Sequence, residues 1–231
     1  MHGLLVVLLA GCAGVAAAPP PPAPAPVQHL LGAPLAIAGE SMVFELTFRG
    51  MHAARVQVAV GQPGWVDGRP SIIVKSHGET DGLIALIGGL DWTLATTMDL
   101  ERGTPLLVVE DAIVTFGGKT ETNHERSTDP RHSIHSAVCV LRGWRSKPGQ
   151  QASLVMRIDR AQLDLQIQES AHEFLDGVGK PAVRYEGVAR GKFPFKIWIS
   201  DDTARVPLRM ETSTKWGAVA VELVEYNAPR D

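Results

Sequence analysis

Between Phe193 and Tyr226 three strand-like runs follow one another with their apolar residues on alternate positions. Phe193, Phe195, Ile197 and Ile199 share one parity, Ser200-Asp201-Asp202-Thr203 turns the chain, and Val206, Leu208, Met210 and Thr212 share the next. After Lys215-Trp216-Gly217 a third run, Ala218 to Tyr226, comes back across. Successive side chains of a strand point to opposite faces. A period of two kept over three consecutive segments therefore predicts an antiparallel meander with one face buried and one wet. The apolar row of that meander, Phe195, Ile197, Val206, Leu208 and Met210, is also the candidate surface for an apolar ligand.

The same period runs through the chain upstream. Met42, Phe44, Leu46 and Phe48 fall on one parity, Gly50 marks a turn, and Val56, Val58 and Val60 form the next row. Ser71 to His77 makes a further strand, as does the alternation of Trp92, Leu94, Thr96, Met98 and Leu100; Leu106 to Phe116 adds one or two more before the turn at Gly117-Gly118. Beyond residue 150 the rows are Leu154, Met156 and Ile158, then Leu163, Leu165 and Ile167, then Ala182 to Arg190. The segment Thr80 to Leu90, with Leu83, Ile84, Leu86 and Ile87 set between glycines, reads as either a short helical turn or an apolar loop. One helix interrupts the strands: Asp129-Pro130 supplies a cap and first position, Ile134, Ala137, Val138 and Leu141 follow at helical spacing, and Lys147-Pro148-Gly149 ends it. The expectation is one mainly β domain over residues 40–228, with about eleven or twelve strands and a helix.

Charge and composition narrow the partners. The chain has 231 residues, 45% hydrophobic and 20% charged, and a net charge of −3 with acids and bases interspersed. No basic stripe is present to release counterions from nucleic acid, so nucleic acid is excluded as an expected partner. The N-terminus points instead to a membrane. Leu4 to Ala10 is too short to span a bilayer but fits the apolar core of a signal peptide, and it ends in Leu9-Ala10-Gly11-Cys12, which resembles a bacterial lipobox. The resemblance implies a signal peptide over residues 1–11, removed before Cys12, with acyl chains on the Cys12 thiol and on the new amine. Such chains anchor firmly, since each buried methylene adds about 0.8 kcal/mol. Ala13 follows the cysteine where an aspartate would favour the inner membrane, so the expected address is the outer membrane, facing the periplasm. Residues 12–39 then read as a tether: Pro19 to Pro22, Pro24 and Pro26 favour polyproline II, about 3.1 Å per residue.

The order of these elements carries a second resemblance. A glycine-turn strand pair from Glu40 to Val60, the apolar Asp81-Gly82-Leu83 segment, an Asp-Pro-headed helix, Lys147-Pro148-Gly149-Gln150, and a hairpin from Ile197-Trp198-Ile199-Ser200-Asp201-Asp202 to Val206-Pro207-Leu208-Arg209 together resemble the exported bacterial proteins of domain of unknown function 3108. The resemblance covers about Glu40 to Tyr226. It implies a strongly curved antiparallel sheet, a half-barrel or open barrel, wrapped round a helix, as in carriers of lipids and lipoproteins across the periplasm. It implies no catalytic residues. The helix departs from the family in its histidines.

Those histidines are the candidate metal ligands. His132, His135 and Cys139 sit at i, i+3 and i+7, within about 60° on a helical wheel and opposite Ile134, Val138 and Leu141, and His124 lies upstream. A structural zinc site usually brings paired cysteines, and acylation of Cys12 leaves one, so these residues read first as a polar, partly exposed helix face and no cofactor is expected. Gly117-Gly118-Lys119-Thr120 lacks the first glycine of a phosphate loop, because position 113 is Ile113. His124-Glu125 and His172-Glu173 lack the second histidine of a metalloprotease helix, and no Gly-x-Ser-x-Gly elbow exists. Asp201-Asp202 fits turn chemistry better than acid–base catalysis. The function that follows is a lipid-anchored, non-catalytic module binding a lipid, an acyl chain or an envelope partner protein; the alternatives are a purely structural envelope scaffold and an envelope enzyme.

Overall fold

A computed structural model describes residues 33–82, 85, 88–158, 161–189, 193–214 and 217–229. Cys12, most of the tether and the apolar residues Leu83, Ile84, Leu86 and Ile87 lie outside the described residues. The alternating rows form strands β1 (Ser41–Phe48), β2 (Met51–Val60), β3 (Gly64–Val66), β4 (Arg69–Thr80), β5 (Gly88–Asp99), β6 (Pro105–Phe116) and β7 (Lys119–Ser127). Helix α1 (Ile134–Gly143) follows, then β8 (Gln151–Ile158), β9 (Ala161–Leu175), β10 (Lys180–Ala189), β11 (Phe193–Ser200), β12 (Pro207–Thr214) and β13 (Gly217–Asn227).

All these strands join one antiparallel sheet of thirteen, in the order β7-β6-β5-β4-β2-β1-β13-β12-β11-β10-β9-β8, with β3 paired to the start of β4. The expected mainly β architecture is present, with two strands that periodicity did not reveal, the three-residue β3 and the polar β7. Because β1 pairs with β13, the first and last of these strands meet in the middle of the sheet, and the sheet stays open between β7 and β8. Register shifts interrupt the ladders at Val43/Phe44, Leu46/Thr47, Thr97/Met98, Arg184/Tyr185 and Trp198/Ile199. An extra residue on one strand bends it and increases the local twist, so these shifts spread around the ladder curl the sheet towards a barrel.

The open seam is bridged by what connects its two edges. Arg157 of β8 forms an ion pair with Glu125 of β7, and its Nε lies 3.9 Å from Asp129. The linker between β7 and α1 also lies along β8: the His132 amide donates to Val155 O at 3.0 Å, and the Arg157 amide donates to His132 O at 2.9 Å.

Helix α1 starts later than its Asp-Pro head suggests. Ser133 is the N-cap, its side chain accepting from the Ser136 amide, while the Asp129 carboxylate turns onto the Arg131 amide at 2.9 Å and onto its guanidinium. An aspartate that finds a donor two residues on makes its own turn and is not free to cap a helix. At the other end, the Arg142 guanidinium donates to Glu40 at 2.5 and 2.9 Å, both side chains about 1% exposed, and Arg205 donates to the carbonyls of Arg142 and Trp144. Trp144 stacks on Tyr185 with centroids 5.4 Å apart. The helix terminus thus has its orphan carbonyls satisfied by a buried arginine. Residues 33–39, which composition places in the tether, are docked: the Leu35 amide donates to Cys139 O at 2.9 Å, and Ala36 and Ala38 pack on Val60, Ile72, Val74, Met98 and Cys139.

Candidate functional site

The inward-facing rows do not meet in the middle of the curved sheet. They line a partly open cavity of about 790 Å³, within the range of about 300–1,000 Å³ usual for small-molecule sites. Its walls come from strands all round the sheet: Met42, Phe44 and Leu46 on β1, Val56 and Val58 on β2, Trp92 and Leu94 on β5, Leu163 and Ile167 on β9, Val219 and Val221 on β13. Helix α1 forms one side through Ile134, Ala137, Val138 and Leu141.

Of the meander's candidate residues, the structure places Phe195, Ile197 and Met210 on the cavity wall. Val206 and Leu208, 1% and 0% exposed, lie in a packed cluster with Met42, Ala182, Trp198 and Leu223. The register shift opposite Trp198 and Ile199 separates them from the parity of Met210. One row in sequence therefore divides into a part that lines open space and a part that fills core.

Two mid-strand glycines explain why so much space remains. Gly78 pairs across the sheet with Trp92, and an added Cβ there would sit 1.6 Å from the indole. Gly187 pairs with Phe195, and an added Cβ would sit 2.1 Å from the Gln166 carbonyl oxygen and 2.6 Å from the Phe195 ring. Each aromatic ring lies down on a neighbour without a side chain, where a larger residue would hold it off the sheet and out into the cavity. A glycine inside an alternating strand is the sequence signal for such an approach, and it can be read in Ser76-His77-Gly78 and Glu186-Gly187.

The wall is polar along one stretch. Glu110 on β6, Glu121, Asn123 and Glu125 on β7, and Asp129, Arg131 and Arg157 across the seam all border the cavity. Glu110 stands directly opposite Glu125 in the ladder, and Ala112 opposite Asn123. The inward row of β7 is therefore polar, as its outward row is, which is why this strand shows no hydrophobic alternation.

His135 and Cys139 on α1 are buried, His132 lies ahead of the N-cap and is half-buried, and Ile134, 40% exposed, borders the cavity together with Val138. His135 and Cys139 thus depart from the partly exposed face expected of them, whereas Leu141 is buried as an apolar face requires. His135 replaces solvent with two hydroxyls, its Nδ1 lying 3.2 Å from Thr96 Oγ1 and its Nε2 3.0 Å from Ser76 Oγ, and burial lowers its pKa to about 4. His132 Nδ1 lies 3.2 Å from Ser136 Oγ, and burial lowers its pKa too. Burial pushes the Cys139 thiol up to about 12, which keeps it protonated. His124, on β7, is 2.5 Å from Asp111 instead. The metal candidates are thus dispersed over separate partners, and no group of three or more metal-binding side chains occurs among the described residues. Asp202 accepts from the Arg205 amide at 2.9 Å, and Asp201 lies 2.9 Å from His172, whose other nitrogen is 3.0 Å from Glu169. These contacts with Asp201, then Glu169, raise the His172 pKa.

No helix among the described residues is long and apolar enough to cross a membrane. No family model matches the chain, and no curated protein matches it. Among solved structures, the chain is similar to a β-barrel-like protein of domain of unknown function 1849 from Brucella abortus, at 8% identity and a TM-score of 0.54 over 84% of this chain and 99% of that one. It is also similar to an exported protein with a YmcC-like fold from Bacteroides fragilis, at 9% identity and a TM-score of 0.40 over 85% and 99%. A third similar structure is a lipoprotein from Parabacteroides distasonis, at 9% identity and a TM-score of 0.35 over 87% and 99%. At these identities the likeness to the Brucella abortus protein is one of fold, a β-barrel-like sheet spanning nearly the whole of both described domains.

Proposed function

We propose that this protein is a cell-envelope lipoprotein of the kind grouped as domain of unknown function 3108, anchored through acylated Cys12 and facing the periplasm from the outer membrane. Its folded domain acts without catalysis and holds the apolar part of a lipid or acyl-chain ligand inside the curved sheet. The observation that carries this reading is the cavity of about 790 Å³ lined by aliphatic and aromatic side chains. A scaffold with no ligand has no use for that volume. Close packing is the rule in protein interiors, and unfilled apolar space costs stability unless something occupies it.

Two measurements test the two halves of the proposal. With Cys12→Ser the protein should leave the membrane pellet and lose metabolic labelling by palmitate; an unchanged pellet fraction would refute the anchor. Native mass spectrometry of the Cys12→Ser protein, purified without detergent, should show an added mass that organic extraction removes and identifies as an acyl lipid. A single bare polypeptide mass, unchanged after incubation with an envelope lipid extract, would refute the carrier reading.

A further inference from the structure

The polar stretch of the cavity wall has a composition that selects among amphiphiles, given that the cavity is a ligand site. We infer that the seam between β7 and β8 is a head-group site, and that the cavity takes a single-chain zwitterionic amphiphile. Its anionic group meets the guanidiniums of Arg131 and Arg157; its cationic group meets the carboxylates facing them.

The four side chains at the seam form two acid–base pairs, Glu125 with Arg157 and Asp129 with Arg131, and Arg157 is also 3.9 Å from Asp129. All four border the cavity; Glu125 and Arg157 are the more buried pair, at 13% and 17% side-chain exposure, against 23% and 32% for Asp129 and Arg131. Removing one member of a desolvated ion pair leaves the other charge without compensation, which is costly. A ligand head carrying one sign therefore has a cost on entry. A carboxylate that takes Arg157 displaces Glu125 towards Glu110, its neighbour in the ladder, and a lone ammonium that takes Glu125 strands Arg157. A zwitterionic head inserts into such a pair and meets both sides with the opposite charge, replacing one ion pair with two. An uncharged head can hydrogen-bond one charge or the other but brings no counter-charge, so where it separates a pair both charges are left without compensation. The apolar remainder of the cavity continues from this seam on both sides, through Ala112 and Val114 on β6 and through Leu154 and Met156 on β8. A chain attached to a head at the seam therefore lies against aliphatic wall.

The test uses the full chain carrying Cys12→Ser, loaded with the uncharged apolar fluorophore diphenylhexatriene. Displacement is compared for three ligands with the same chain and different heads: myristoyl lysophosphatidylcholine, myristate and myristyl maltoside, each below its micellar concentration. The zwitterion should displace the fluorophore at a concentration about tenfold below that needed for either of the others. Arg157→Gln, which removes the anion's partner and leaves Glu125 uncompensated, should weaken displacement by myristate more than displacement by lysophosphatidylcholine, each measured against that variant's own fluorophore affinity. Glu125→Gln, which frees Arg157 of its carboxylate, should improve displacement by myristate. Equal displacement by the three heads, or a preference for myristate in the unmodified site, would overturn the inference, and so would ratios that neither substitution moves. Those results would leave the cavity reading intact, whereas failure of the fluorophore to bind at all would overturn that reading and this inference with it.

Discussion

His135 shows how much a single side chain's surroundings can reverse its reading. In sequence it belongs to a polar row on an amphipathic helix, and polar rows ordinarily face water. In the fold that row faces β4 and β5, where Ser76 and Thr96 present hydroxyls to both ring nitrogens, so the imidazole is buried and neutral. Those partners are 59 and 39 residues away in the chain, which is why no local pattern reveals them. The consequence is measurable. Unfolded, His135 takes up a proton near its ordinary value of 6.5, but in the fold it resists until about 4. A base whose folded value is depressed contributes its full stability above the unfolded value and loses it as pH falls, so the domain should weaken through the window between pH 6.5 and 4. At about 1.4 kcal/mol per pH unit, this one group accounts for about 3 kcal/mol. His135→Asn should flatten that part of the stability–pH curve in denaturant titrations. An equally steep decline in the variant would assign the acid sensitivity elsewhere.

Helix α1 is the element whose existence was clear from spacing and whose placement was not. Ile134, Ala137, Val138 and Leu141 mark one apolar face, and such a face is expected to pack against a core. Here the face divides: Leu141 and Ala137 are buried in apolar clusters with β8 and β9, Ile134 and Val138 border the cavity, and buried charges hold the helix at its end. Glu40, just before β1, and Arg142 in the last turn are 102 residues apart and fully buried against each other. Arg142 also donates to the carbonyls of Ala204 and Arg205, and Tyr226 donates to Glu40 at 3.4 Å. Nothing in the local sequence distinguishes these two residues from surface charges. Glu40→Ala leaves a buried guanidinium without its counter-charge and should cost about 3–5 kcal/mol in chemical denaturation. Replacing both partners, as Glu40→Leu with Arg142→Met, should cost distinctly less than either single change, because no charge is then left unpaired. If the double variant were as unstable as the sum of the singles, the pair would not be acting as a coupled unit.

At the scale of the whole molecule, a period of two made the curved antiparallel sheet legible, because one buried face imposes its parity on every strand that joins it. What parity could not show is whether the inner rows fill the enclosed space, since a residue that lines a cavity and one that fills a core alternate alike. Leu208 and Met210 share a parity and have different fates, and the difference arises from a register shift and from which residues stand across the barrel. The cavity's volume depends partly on Trp92, whose indole rests on Gly78 in the adjacent strand. Gly78→Ala would place a methyl group within the ring's own space. The atoms it would meet are those of the indole side chain, so the ring would have to rotate off the sheet and into the cavity. The expected result is a domain that still melts cooperatively, with a stability change of about 0.5–1.5 kcal/mol from the displaced rotamer, but with the affinity for an apolar fluorophore reduced about tenfold or more. Trp92→Ala should act in the opposite direction on ligand size, admitting bulkier probes while costing less than the about 3–5 kcal/mol of a fully buried aromatic, because the indole is half-buried on the cavity wall. The two substitutions touch the same pair of residues from opposite sides. Unchanged probe affinity in Gly78→Ala would show that the volume beside Trp92 is not where the ligand lies. Parallel losses of affinity and stability in both would show that the indole supports the wall rather than setting the room inside it.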